Sequence, residues 1–179
     1  MKKSLFSLTT TIIMLFTLIS CVNTENELVV NDDGTYTCGA VTFELPSDWE
    51  VDDAQDENDE DTVDVAEFNR ENGNFGNLNL SIISFDDMLE RQNIYASGLN
   101  DERVTVSNYE SKAVILENGS GFLDTFLISD DTGNGIDLAY TDLYIVLDDN
   151  KVCTFEWVEL PANSVDDFSF FYDSIEISD

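Results

Sequence analysis

Apolar and polar residues alternate along most of the chain from Tyr36 onward. Val41-Thr42-Phe43-Glu44-Leu45 has the period of two that turns one side of a strand toward a core, and Pro46-Ser47-Asp48 ends it. Trp49 and Val51 resume an extended segment, and an acidic stretch follows. Alternation returns at Val63 and Val65 and runs through Phe68 to Asn72-Gly73, a hairpin signal because both residues accept positive φ. Leu78, Leu80, Ile82 and Phe85 carry the return strand. The period then changes. Ser84 followed by Asp86 and Asp87 predicts a helix start, with the hydroxyl capping open amides and the acids complementing the dipole. Met88, Tyr95 and Leu99 fall near helical spacing, Asp87 and Arg91 make a favourable i,i+4 pair, and Gly98 is placed to end the helix.

Val104 and Val106 open the second half, followed by apolar runs at residues 113–116, 122–128, 138–147 and 152–160. Between them stand Asn118-Gly119-Ser120-Gly121, Asp131-Thr132-Gly133-Asn134-Gly135 and Asp148-Asp149-Asn150, short turn-rich links that predict consecutive antiparallel strands. Ser164-Val165-Asp166-Asp167 caps a last helix. Its Phe168, Phe171, Tyr172 and Ile175 sit at i, i+3, i+4 and i+7, one apolar face for the sheet, while Phe170 falls off that face. No internal repeat is present. The pattern as a whole predicts an α+β domain, an antiparallel sheet of about six to seven strands with helices packed on its faces.

The first twenty-one residues follow another rule. MKKSLFSLTTTIIMLFTLISC begins with Lys2 and Lys3, continues in a largely apolar run from Leu5 to Ile19, and closes on Leu18-Ile19-Ser20-Cys21. A cationic start, an apolar core and a small residue before the break make an export signal. The closing four residues resemble the bacterial lipobox, which implies that residues 1–20 are a signal peptide and that Cys21 becomes an acylated N-terminus. The alternative is an uncleaved anchor, since the apolar run is nearly long enough to span a bilayer. Either way the rest of the chain lies outside the cytoplasm, in a bacterial cell envelope. Val22 stands where an aspartate commonly retains lipoproteins at the inner membrane, which leans toward the outer membrane in a Gram-negative cell. Residues 21–35 are polar and read as an acylated tether, and 36–179 as a single domain.

Charge narrows the function classes. The chain holds 38 Asp and Glu against 7 Lys and Arg, a net charge of −31; without Lys2 and Lys3 it becomes 5 − 38 = −33. Such an excess argues against nucleic acid, whose binding needs cations against phosphate, and favours a basic protein partner, divalent cations or a saline habitat. Histidine is absent, which removes Ser-His-Asp and Cys-His catalysis and the histidine-containing zinc sites. Cys38 and Cys153 are the remaining cysteines; outside the cytoplasm they pair as one disulfide closing a loop of over a hundred residues, or stay as two buried thiols.

Val41-Thr42-Phe43-Glu44-Leu45-Pro46-Ser47-Asp48-Trp49 resembles the strand and Leu-Pro-x-x-Trp opening of the PsbP-like proteins. Phe168-Ser169-Phe170-Phe171-Tyr172-Asp173-Ser174-Ile175 is similar to that family's closing helix. The resemblance covers about residues 38–178. It implies an antiparallel sheet with helices on both faces. It carries no catalytic set, because the family's members are functionally mixed, bacterial exported lipoproteins among them.

Two acidic stretches are candidates for metal. Counting from Asp56, the residues Asn58, Glu60, Thr62, Asp64 and Glu67 fall at calcium-loop positions, but Asp61 stands where such a loop needs glycine. A low-affinity calcium site and a solvated acidic loop therefore both remain open for Asp52–Asp64. Asp130-Asp131-Thr132-Gly133-Asn134-Gly135 reads as a turn, since Thr132 replaces an acidic ligand. Glu156 and Glu159 flank Trp157 and read as solvent-facing charges beside a packed aromatic. The expectation is a membrane-anchored, non-enzymatic binding or accessory module with a strongly acidic surface and no cofactor. A divalent-cation binder is the alternative, and a carboxylate-based hydrolase ranks last.

Overall fold

The strands that the alternation predicts are present, and all of them pair antiparallel. The computed structural model describes residues 27–53, 62–70, 75–98, 100–101, 104–130, 137–147, 150–161 and 165–178. In chain order the elements are β1 (Leu28–Val30), β2 (Tyr36–Cys38), β3 (Val41–Phe43), β4 (Trp49–Asp53), β5 (Thr62–Arg70), β6 (Gly76–Ser84), α1 (Phe85–Ala96) and β7 (Asn100–Asp101). Then come β8 (Val104–Leu116), β9 (Gly119–Asp130), β10 (Leu138–Val146), β11 (Lys151–Glu159), α2 (Val165–Asp173) and β12 (Glu176–Ile177).

They form two sheets rather than one. The large sheet has eight strands in the order β4-β5-β6-β11-β10-β9-β8-β7, and the small one has four in the order β1-β2-β3-β12. Two meanders therefore meet at the β6–β11 pairing in the middle of the large sheet, where Gly76 lies opposite Glu159 and Ser84 opposite Lys151. The small sheet draws in residues assigned above to the tether. Asn31 accounts for this: its side-chain amide donates to the Thr35 and Thr37 hydroxyls at 2.8 and 2.9 Å, and Gly34 takes φ +90°, so the chain turns back from Leu28–Val30 onto β2. Of the small sheet, alternation marks only β3, at Val41–Phe43; β1, β2 and β12 are two or three residues long, too short to show a period.

The β8–β9 link also differs from expectation. The turn is Glu117-Asn118, with Asn118 at φ 63°, and Gly119-Ser120-Gly121 belong to β9. Gly121 is required by close approach: a Cβ there would lie 1.9 Å from the Tyr144 carbonyl oxygen. The helix signals hold. Ser84 caps α1 by accepting from the Asp87 amide at 3.1 Å, and Gly98 (φ +66°) follows its end, donating to the Tyr95 carbonyl.

Burial divides the large sheet by face. One side, with Phe68, Leu78, Leu80, Leu143, Ile145, Phe155 and Trp157, packs against Val41 and Phe43 of the small sheet and Phe171 of α2. Phe43 sits at its centre, edge-on to Phe68, Phe155 and Phe171 with centroids 5.0–6.0 Å apart. At the rim of this core the Arg70 side chain is 4% exposed. It pairs with Glu159 at 2.8 Å, with Asp167 of α2 and more distantly with Asp48, and lies over the Trp49 ring. Glu159 is thus a buried ion-pair partner and not the solvent-facing charge its sequence setting suggests. On the other side, Met88 of α1 packs on Ile83, Tyr144 and Val152.

Candidate functional site: an acid row beneath α1

On the α1 side of the large sheet, strand register lines polar residues up in a single transverse row. Ser111 lies opposite Asp124, Asp124 opposite Asp142, Asp142 opposite Glu156, Glu156 opposite Asn79, and Asn79 opposite Glu67. Three carboxylates thus stand side by side on β9, β10 and β11, and a fourth, Glu67 of β5, follows beyond Asn79 of β6. Helix α1 lies over the row because Met88, Arg91, Gln92 and Tyr95 follow the i, i+3, i+4, i+7 spacing that gives a helix one face.

Neutral donors hold these acids. Asp124, fully buried, accepts from Gln92 at 3.2 Å and from the Tyr109 hydroxyl at 2.9 Å. A bulge between Ser107 and Glu110, with Asn108 at φ 56°, reshapes β8 beside Tyr109. Asp142, 2% exposed, accepts from the Tyr144 hydroxyl through one oxygen, and its Oδ1 has no hydrogen-bond partner. The Asn79 amide donates to Glu156 at 3.4 Å, and Asn77 donates to Glu67 at 2.6 Å.

Burial without a paired cation changes the protonation of Asp142 and Glu156. Asp142 is held well above the usual carboxylate range, first by loss of water and then by the Glu156 charge. Glu156 is also raised, again by burial first, while Asn79 and Arg91 pull it back. Tyr109 is pushed up to about 12 by burial and by its hydrogen bond to Asp124. Beyond the row, Phe126 stacks between Tyr95 and Tyr140 with centroids 4.4 and 5.1 Å away.

Where α1 leaves the β5 side uncovered, a cavity of about 370 Å³ opens, lined by Asp64, Ala66, Glu67, Asn79, Leu80, Ser81, Arg91 and Glu156. Of the predicted metal residues, Asp64 and Glu67 are brought together here, joined by Glu156 from a distant part of the chain. Asp56, Asn58 and Glu60 lie outside the described residues, as does Cys21. Among the described residues no three acidic or cysteine side chains converge closely enough to hold a metal ion. Sequence reading missed Asp124 and Asp142 altogether.

Cys38 and Cys153 come together elsewhere, buried between the two sheets as free thiols. A hydrogen bond between them holds Cys38 below its ordinary value, whereas burial pushes Cys153 well above.

Comparison with known proteins places the fold. No family model matches the chain, and no curated protein matches its sequence. Among solved structures, it is similar to cyanobacterial PsbP (CyanoP) from Synechocystis sp. PCC 6803, with TM-score 0.56 and 11% identity over 90% of this chain and 99% of that one. The fold is PsbP-like. A protein from Bacteroides thetaiotaomicron VPI-5482 is also similar, with TM-score 0.50 and 10% identity over 87% of this chain; the match spans about half of that longer chain, 49%. At these identities the likeness to PsbP is one of fold alone. No helix among the described residues is long and apolar enough to cross a membrane.

Proposed function

We propose that this protein is a lipid-anchored, non-enzymatic binding or accessory module of the bacterial cell envelope, related to the exported PsbP-like lipoproteins, whose acidic surface meets a basic partner. The observation that carries this reading is the charge imbalance, 38 acids against 7 bases, with one of those bases, Arg70, already enclosed by Glu159 and Asp167. The lipobox residues Leu18-Ile19-Ser20-Cys21 support the anchor. In that oxidising compartment Cys38 and Cys153 join as a disulfide, releasing two protons and passing two electrons to a disulfide-exchange partner.

Labelled palmitate and zero-length carboxyl-to-amine crosslinking in intact membranes test the proposal together. The expected outcome is label on the native chain, none on Cys21→Ser, and one discrete crosslinked adduct at physiological salt. Loss of label with no adduct on the native chain overturns it. A carboxylate-based hydrolase is the second reading, favoured by one observation: Glu156 lines a cavity with its carboxyl raised, as a general acid requires.

A further inference from the structure

We propose that the Cys38–Cys153 disulfide forms only in the open chain, before the small sheet closes over the large one, so that the folded molecule is locked in the redox state in which it closed. This rests on the reading of the protein as resident in an oxidising envelope. It adds the stage of folding at which the bond is made and the conformation that admits it.

Geometry brings the two sulfurs together and then shuts them in. In the strand registers Cys38 of β2 lies between Leu28 and Val41, and Cys153 of β11 lies between Ile82 and Ile145. The thiols meet across the space between the sheets, hydrogen-bonded to each other, and both residues are 0% exposed. Among the described residues no strand of the small sheet pairs with one of the large sheet, so side-chain packing and the chain itself hold the two face to face. A bond at this point is therefore a staple between the sheets, set on one of the two central strands of the eight.

The chemistry needs room that the closed core withholds. Oxidation by a small disulfide begins when one cysteine attacks it as a thiolate, giving a mixed disulfide and releasing one small thiol. The second cysteine then attacks the first, and the protein bond forms as the second small thiol leaves. Two protein thiols are oxidised, the small disulfide is reduced, and the two protons pass to the thiols that leave. The intermediate carries a whole oxidant-derived group on one sulfur, which a close-packed interior does not admit. Burial also opposes the thiolate, since it pushes Cys153 well above its ordinary value. Reduction of the finished bond passes through the same kind of intermediate and meets the same barrier. Exchange therefore waits for an opening that lifts β2 from β11, a rare state in a folded domain. Lifting β2 with its neighbour β3 pulls Phe43 away from Phe68, Phe155 and Phe171, which keeps that state rare.

Tagging kinetics on the full acylated chain in detergent test this, with oxidised glutathione as the oxidant. The chain is folded reduced, and samples are denatured at intervals in excess maleimide tag. Reduced Cys38 and Cys153 take one tag each, and acylated Cys21 takes none. The closed chain should oxidise at least about a hundredfold more slowly than the same chain in strong urea, at a rate that climbs with urea below the unfolding transition. Phe43→Ala should speed oxidation by at least about tenfold, and Ile115→Ser should leave it unchanged. Oxidation of the closed chain as fast as in strong urea, or at a rate that mild urea leaves unaltered, overturns the proposal. Where the reduced chain or Phe43→Ala fails to fold, the oxidised native chain is challenged with dithiothreitol; the same hundredfold protection is expected, and its absence is equally decisive. Tagging at the moment of cell lysis decides the envelope reading separately. Two tags on the mature chain refute the oxidising compartment and leave the kinetic result standing, whereas none supports it.

Discussion

The two faces of the eight-stranded sheet are made from the same strands yet are buried by different means. Toward the small sheet, Phe68, Leu80, Ile145, Phe155 and Trp157 interlock with Phe43 and Phe171, and the driving force is loss of apolar surface from water. Beneath α1, the intervening residues of those strands are Asp142, Thr154, Glu156, Asn79 and Ser81. Burial there opposes stability unless every polar atom is satisfied, and Asp142 Oδ1 and Thr154 Oγ1 are not. The aromatic side also leaves Trp49 Nε1, Trp157 Nε1 and Glu159 Oε2 without a hydrogen-bond partner, so the two faces differ less in unpaired atoms than in what surrounds them: interlocked rings on one side, a row of carboxylates and amides on the other.

Substitutions sharpen this contrast in order of size. Phe43→Ala, which strips the centre of the aromatic cluster, should cost about 3–5 kcal/mol in urea denaturation. At the rim of that face, Arg70→Met leaves Glu159 buried without its cation and should cost about 3 kcal/mol, most of which Arg70→Met with Glu159→Gln recovers. Under α1 the sign reverses. Asp142 and Glu156 have raised values, so the native state binds more protons than the unfolded chain, and stability is greatest in mild acid. It falls as pH rises from the ordinary carboxylate range, about 4, toward the raised values. Asp142→Asn should therefore raise the melting temperature at neutral pH and leave it unchanged below about pH 4, a flattening that relief of overall charge repulsion alone does not produce. The smallest effect belongs to Ile115, 90% exposed at the tip of β8: Ile115→Ser should stay within about 0.5 kcal/mol.

Much of the fold is legible in the chain because period two survives in β5, β6 and β8–β11, and because Ser84 and Gly98 punctuate α1 where capping chemistry requires. Of the small sheet only β3 is, through Val41 and Phe43, since β1, β2 and β12 are too short to carry a period. The acid row is hidden for a different reason. Asp124, Asp142 and Glu156 each occupy the polar half of an alternating strand, where sequence implies water. Only the register of β9, β10 and β11 sets them side by side, and only the placement of α1 removes the water. Glu159 was misjudged for the same cause, its partner Arg70 being 89 residues away.

The β6–β11 pairing has a consequence for how the chain becomes a protein. β4–β6 and β8–β11 are each built from neighbours in sequence, so their hairpins form early and locally. Their union joins residues such as Gly76 and Glu159 and must wait for a long loop to close, a slow step in any non-local sheet. Asp124, Asp142 and Glu156 belong to the second meander; Asp64, Glu67 and Asn79 belong to the first. Neither half carries the cavity alone, so both the cavity and the acid row are completed only when that central seam closes.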